Sequence, residues 1–245
     1  MKRNSLPLLL LAVILSFAVF SCKKSDNNPP AVIGTSYLPF VKGQYVTFSV
    51  DSIYWIDTSC LQIENVYQLQ YVVKDTFTDA KKHLQYVYYA YIKSSKTNNT
   101  WVAKDVFYAT ATDTGILVTK DDLIFRKFGY PIAEANTWKG NSLIDVNDKD
   151  YSYFSNWSYK YKDVGLGYFN GSYDFPNTVT VLEADQSVND IVSNPDTTAA
   201  RTTFKEIYAY NVGLVYSEAT HWTYDPNSAL CKKGYSVIMK AIDHN

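Results

Sequence analysis

Apolar and polar residues alternate with a period of two through almost all of the chain beyond residue 44, and that pattern admits few folds. In residues 45–51, Val46, Phe48 and Val50 fall on one side of a strand and Thr47, Ser49 and Asp51 on the other. Tyr67, Leu69, Tyr71 and Val73 repeat the pattern, as do Leu84, Tyr86, Tyr88, Ala90 and Ile92. Further on, Val102, Val106, Tyr108 and Thr110 oppose Trp101, Ala103, Phe107 and Ala109. The same criterion predicts strands over residues 115–120, 123–128, 142–146, 151–161, 178–184, 203–210, 214–224 and 234–242. About a dozen short strands, broken by polar stretches such as 96–99, 112–115, 147–150 and 170–171, predict antiparallel pairing by hairpins. Residues 187–193 have room for a helical turn or two, and no long helix is predicted. A strand with one apolar face must lay it against something. The expected fold is therefore all-β: a single domain made of one strongly curved antiparallel sheet, a half barrel or partly closed barrel with a concave face.

The amino-terminal segment has another character. Lys2 and Arg3 precede a run over residues 6–20 that is apolar apart from Pro7 and Ser16, which is shorter than the roughly 20 residues needed to span a bilayer core. A charged start, a short apolar stretch and a small residue before a cleavage point make residues 1–21 a secretory leader. Val19-Phe20-Ser21-Cys22 resembles the bacterial lipoprotein box, in which a small residue precedes the Cys that receives a diacylglycerol. The resemblance implies an acylated Cys22 that takes up palmitate, and so a membrane as the first partner. Each buried methylene contributes about 0.8 kcal/mol, so several acyl chains anchor durably where one does not. Residues 22–36, polar and lacking apolar periodicity, are expected to be a flexible tether, and residues 37–245 the β domain. Lys+Arg number 23 against 24 Asp+Glu, a balance without the basic excess that a nucleic-acid partner requires.

Two stretches carry a family resemblance. Tyr37-Leu38-Pro39-Phe40-Val41-Lys42-Gly43-Gln44-Tyr45-Val46-Thr47-Phe48 is similar to a first-strand pattern of Bacteroidota lipoproteins. Glu206-Ile207-Tyr208-Ala209-Tyr210-Asn211-Val212-Gly213-Leu214-Val215-Tyr216 is similar to a hairpin of the same proteins, and Trp138-Lys139-Gly140 fits their middle segment. The resemblance implies a curved sheet like that of lipoprotein-carrier half barrels and a lipid-anchored place in the cell envelope, at the outer membrane. Only Asp26 is acidic just after Cys22, and two lysines come first, which favours a domain in the periplasm over a surface-exposed one. No activity follows from the resemblance.

Candidate sites are few. Cys60 and Cys231 are the cysteines left after Cys22; in an oxidising compartment they form a disulfide or remain two buried thiols. If bonded, they make the strands on either side of them antiparallel neighbours, which is expected to close the sheet. His83, His221 and His244 are the whole histidine supply and show no metal-ligand spacing, so no metal or cofactor is expected. Residues 145–150 lack the glycine and the terminal Glu of a calcium loop and read as a polar turn. There is no Gly-x-Ser-x-Gly elbow. Asp121-Asp122 would point to opposite faces of a strand, whereas carboxylate pairs for sugar hydrolysis meet in space and leave no local pattern. Trp55, Trp101, Trp138 and Trp222 are the candidate ligand-facing aromatics, with ordinary half-buried sheet positions as the competing reading. Ser52 and Thr197 sit in Asp-Ser/Thr-apolar-like triplets that resemble Bacteroidota O-glycosylation sites. The expected function is non-enzymatic binding of an apolar or glycan ligand, or of a protein partner. The alternatives are a structural or assembly lipoprotein with a filled core and, less favoured, a glycan-acting hydrolase.

Overall fold

The computed structural model describes residues 34–38, 40–94, 100–227 and 231–245. The leader, Cys22 and the turn at residues 96–99 lie outside them. Twelve strands follow one another: β1 (Tyr45–Ile56), β2 (Leu61–Thr78), β3 (Leu84–Ser94), β4 (Val102–Thr112), β5 (Gly115–Lys120), β6 (Leu123–Gly129), β7 (Thr137–Trp138), β8 (Tyr159–Phe169), β9 (Asp174–Val188), β10 (Ala199–Ala209), β11 (Gly213–Tyr224) and β12 (Lys232–His244). They form a single antiparallel sheet in the order β6-β5-β4-β3-β2-β1-β12-β11-β10-β9-β8-β7. Strands consecutive in the chain are neighbours in the sheet, except β6 and β7. The first and last strands meet in the middle of the sheet, where β1 pairs with β12 (Val50 opposite Met239), and its free edges are β6 and β7.

Those two edges approach each other, so the sheet curls into a nearly closed barrel. The Arg126 amide on β6 donates to the Gly140 carbonyl just after β7 (2.6 Å), and the Trp138 indole N–H donates to the Arg126 carbonyl (2.8 Å). From β8, the Tyr161 hydroxyl accepts from the Gly129 amide and donates to the Gly129 carbonyl, both at 3.0 Å. A β-carbon on Gly129 would lie 2.7 Å from the Trp138 ring, so the seam requires glycine there for close approach. Cys60 and Cys231 are joined as a disulfide with Cα atoms 5.3 Å apart, and their strands β1 and β12 are indeed antiparallel neighbours. The expectation that this bond closes the sheet is corrected: it braces the middle, and closure occurs at the opposite side, between β6 and β7.

Strand prediction fails in one region. Residues 142–146 and most of 151–158 are a loop with one 3-10 turn (Ser152–Phe154), and β8 begins only at Tyr159. The cause lies in the side chains. Asp145 and Asp148 accept hydrogen bonds from the backbone amides of Asn147 and Asp150, which competes with ladder pairing, while Ile144, Phe154 and Trp157 are buried in the core without strand pairing. Asp121 and Asp122 are not strand residues either. Both have positive φ (51° and 61°), as the central residues of a two-residue hairpin turn between β5 and β6 require. The tether expected to reach residue 36 ends earlier, because Gly34–Ser36 form a 3-10 turn in which Gly34 is buried against Tyr130.

The alternation fixes which side chains face inward. Register places Val50, Tyr67 and Met239 on one face, and by the same parity Phe48, Leu69, Tyr71 and Val237. One end of the barrel, near Val46, Val73 and Gly213, is crossed by the segment before β1. Its Tyr37 is 1% exposed and bonds Asn177 (2.7 Å), and its Phe40 stacks on Tyr86 at 4.4 Å. The other end carries the disulfide. Loop 139–158 folds into part of it: Trp157 lies 4.4 Å from the Phe204 ring and Phe154 lies 5.6 Å from Phe125.

Candidate functional site

Inside, the barrel holds a cavity of about 410 Å³, within the roughly 300–1,000 Å³ typical of small-molecule sites. Ten of the twelve strands, all but β7 and β8, contribute lining residues, which locates the cavity in the lumen. The wall made by β1 to β5 is apolar and aromatic: Phe48, Leu69, Tyr71, Val73, Tyr88 and Phe107 line it. The rings brace one another, with Tyr71 against Phe48 (5.4 Å) and Phe107 (5.0 Å), and Tyr88 stacked on Phe107 (4.9 Å). Towards the disulfide end the inward positions of the β1–β2 hairpin become exposed, Tyr54 to 45% and Ile63 to 39%, while at the other end Val46 and Val73 are buried. The lumen therefore opens at the disulfide end, beside Tyr54 and Lys120, and is capped at the end where Gly34 lies.

The facing wall carries a buried charge cluster. Lys127 on β6 reaches Glu183 on β9 (2.5 Å) and Glu206 on β10 (3.0 Å), and Tyr208 donates to Glu206 (2.6 Å). Burial works against the Lys127 ammonium, yet the two carboxylates outweigh it and raise its pKa. Burial pushes the Glu183 carboxyl up to about 7, with repulsion from Glu206 adding to the effect and Lys127 opposing it. Burial acts in the same sense on Glu206, but Lys127 and the Tyr208 hydroxyl hold it below the ordinary carboxylate value. One ammonium is shared by two carboxylates, and the more buried of the two retains a proton most easily. The Tyr159 hydroxyl, on β8, is buried beside Glu183 without the geometry of a hydrogen bond, and its pKa is raised by burial and by both carboxylates.

Sequence reasoning missed this cluster, although each member left a trace. Glu206 and Tyr208 occupy inward positions of β10, Lys127 stands between Phe125 and Phe128, and Glu183 interrupts the apolar run ending at Ala184. A charge at an apolar-face position was the available signal.

The structure places the tryptophans elsewhere. None of Trp55, Trp101, Trp138 and Trp222 lines the cavity. Trp55 and Trp222 sandwich the Lys232 ammonium at 5.1 and 4.4 Å, Trp101 lies under Lys93 at 5.0 Å, and Trp138 packs in the seam. The lumen is lined by tyrosine and phenylalanine instead. Ser52 is 2% exposed and donates to the Asn65 carbonyl (3.3 Å), so a glycosyltransferase cannot reach it in the folded domain. Thr197 is exposed in the β9–β10 connection, with its hydroxyl on the Asn194 carbonyl at 3.0 Å. Among the described residues no group of His, Cys, Asp and Glu has the arrangement of a metal site.

No protein-family model and no curated protein matches the chain. Among solved structures it is similar to a candidate exported protein with a YmcC-like fold from Bacteroides fragilis, at 12% identity over 84% of this chain and 98% of that one, with a TM-score of 0.34. A candidate lipoprotein from Parabacteroides distasonis matches at 12% identity over 83% and 98%, with a TM-score of 0.32. A candidate outer membrane lipoprotein-sorting protein domain from Vibrio parahaemolyticus matches at 10% identity over 83% and 85%, with a TM-score of 0.19. Likenesses of this size say nothing about what occupies the lumen.

Proposed function

We propose that the chain is a lipid-anchored envelope protein whose barrel binds an apolar ligand in its lumen, without catalysing a reaction. The observation that supports this reading is the cavity of about 410 Å³, walled by Phe48, Leu69, Tyr71 and Phe107 and open at one end. Burying apolar ligand surface there contributes roughly 25 cal/mol per Å², and a preformed site spares the cost of ordering the walls. An apolar guest suits these walls better than a glycan, since the tryptophans, the residues suited to stack on sugar rings, lie outside the lumen. The Glu183–Glu206 pair is a poor fit to glycoside hydrolysis. Both carboxylates hold one ammonium and lie within hydrogen-bonding reach of each other, whereas hydrolases keep theirs about 5 Å or more apart to flank a sugar.

The anchor is part of the proposal: Cys22 carries acyl chains, residues 22–33 act as a tether, and the domain faces the periplasm from the outer membrane. Palmitate labelling that is lost in Cys22→Ser supports it; labelling that persists in that variant sinks it. Ligand binding is tested with the neutral fluorescent probe N-phenyl-1-naphthylamine. One saturable site that is lost in the lumen-filling variant Leu69→Trp supports the reading. Binding unchanged by Leu69→Trp, or no binding at all, overturns it.

A further inference from the structure

We infer that the lumen selects amphiphiles bearing a protonated amine, with the ammonium seated between Glu183 and Glu206 and the apolar body along the β1–β5 wall. This deepens the lumen-binding reading and rests on it. Three observations carry it. First, the cluster lines the cavity itself rather than lying behind its wall, and it contains two carboxylates for one ammonium. Second, the other groups that face it do not supply the missing positive charge. Tyr71, Tyr159 and Tyr208 offer hydroxyls, and Asp105 and Asp121, whose charges also reach Tyr71, are acidic. Lys205 is engaged by Glu218 at 3.4 Å, and Lys104 and Lys120 line the cavity at its mouth. Third, buried acceptor capacity is left over. The Gln44 carbonyl oxygen, which lines the capped end, has no partner, while its amide donates to Asn211 at 2.9 Å.

Charge bookkeeping then ranks the guests. With Glu183 protonated the cluster is neutral, so a neutral guest leaves it unchanged. An anionic guest introduces an unpaired buried charge, which is costly. An ammonium replaces the Glu183 proton, which leaves to solvent, and gives two cations for two anions. Amine binding is therefore coupled to release of up to one proton and weakens as Glu183 becomes protonated at lower pH.

The test is calorimetric titration of the full chain in lipid nanodiscs with octylamine, 1-octanol and octanoate, with empty nanodiscs subtracted. At pH 7.5 octylamine is expected to bind about tenfold more tightly than octanol, and octanoate more weakly than either. Octylamine affinity falls about fivefold from pH 7 to pH 6, and its heat depends on the ionisation enthalpy of the buffer. Glu206→Gln removes the preference for the amine and leaves octanol within about twofold. Glu183→Gln serves as the second variant, with the same loss and no proton release. Equal or tighter binding of octanoate, or an amine preference that survives both substitutions, overturns the inference while leaving the lumen-binding reading intact. Failure of all three compounds to bind removes both.

Discussion

In the arm of the barrel built from β8 to β10, the inward rings are sealed: Tyr159 and Tyr161 are fully buried, and Phe128 and Trp157 pack with them. In the arm built from β1 to β5, Tyr67, Tyr71 and Phe107 are only partly buried and border a cavity. The strands of both arms alternate in the same way. What differs is the connection between β7 and β8, where loop 139–158 drops Ile144, Phe154 and Trp157 into its own arm. The β1–β2 and β4–β5 connections are short turns with nothing to insert. A curved sheet of this size has more inward surface than its own side chains fill, so an inserted loop decides which half becomes core and which half stays open.

Truncating the sealed arm should therefore cost more than truncating the open one. Trp157→Ala is expected to lower the free energy of unfolding by about 3–5 kcal/mol, as for other buried aromatic truncations. Tyr71→Ala should cost less than about 2 kcal/mol, because the cavity beside it already forgoes packing on one side. Urea unfolding of both variants makes the comparison, and equal losses would erase the distinction between the arms.

A second, smaller effect concerns the join between the arms. Cys60 and Cys231 close a loop of 171 residues, for which chain entropy gives about 5 kcal/mol as an upper figure and observed values run nearer 2–4 kcal/mol. We propose that the bond forms in the envelope. Without reductant neither thiol should react with an alkylating agent in denatured protein, and Cys60→Ser should lose stability by that amount. Two readily alkylated thiols would remove the brace from the account.

The smallest effect is the dependence on pH. Glu183 has a folded pKa raised from 4.5 to about 7, so its contribution is fully present below 4.5 and is lost as pH rises through 7. Glu206 is shifted the other way, and its contribution is lost as pH falls. Glu183→Gln should flatten the decline in melting temperature between about pH 4.5 and pH 7 and leave the acid limb in place. An unchanged profile would mean that the cluster is not buried in charged form.

Much of the fold was legible because period two is a strong signature, and β5 was bounded to the residue. The same alternation already contained the answer for one tryptophan. With Val46, Phe48 and Val50 inward, Tyr54 must face inward and Trp55 outward. Loop 139–158 was not legible, since Leu143, Tyr151 and Tyr153 mimic strand content while the Asx turns that break it are local side-chain choices. The seam was hidden for another reason: β7 has two residues, too few for any periodicity, and its work is shared by Trp138, Tyr161 and Gly129. The charge cluster joins three strands separated by up to 79 positions, a juxtaposition that only the closed sheet creates.

Xenon tests the asymmetry of the two arms most directly, because it enters dry apolar cavities that are otherwise empty. Crystals pressurised with xenon should show ordered sites between Leu69, Tyr71 and Phe107 and none around Trp157 and Tyr161. A lumen without xenon because its own side chains fill it would contradict the account.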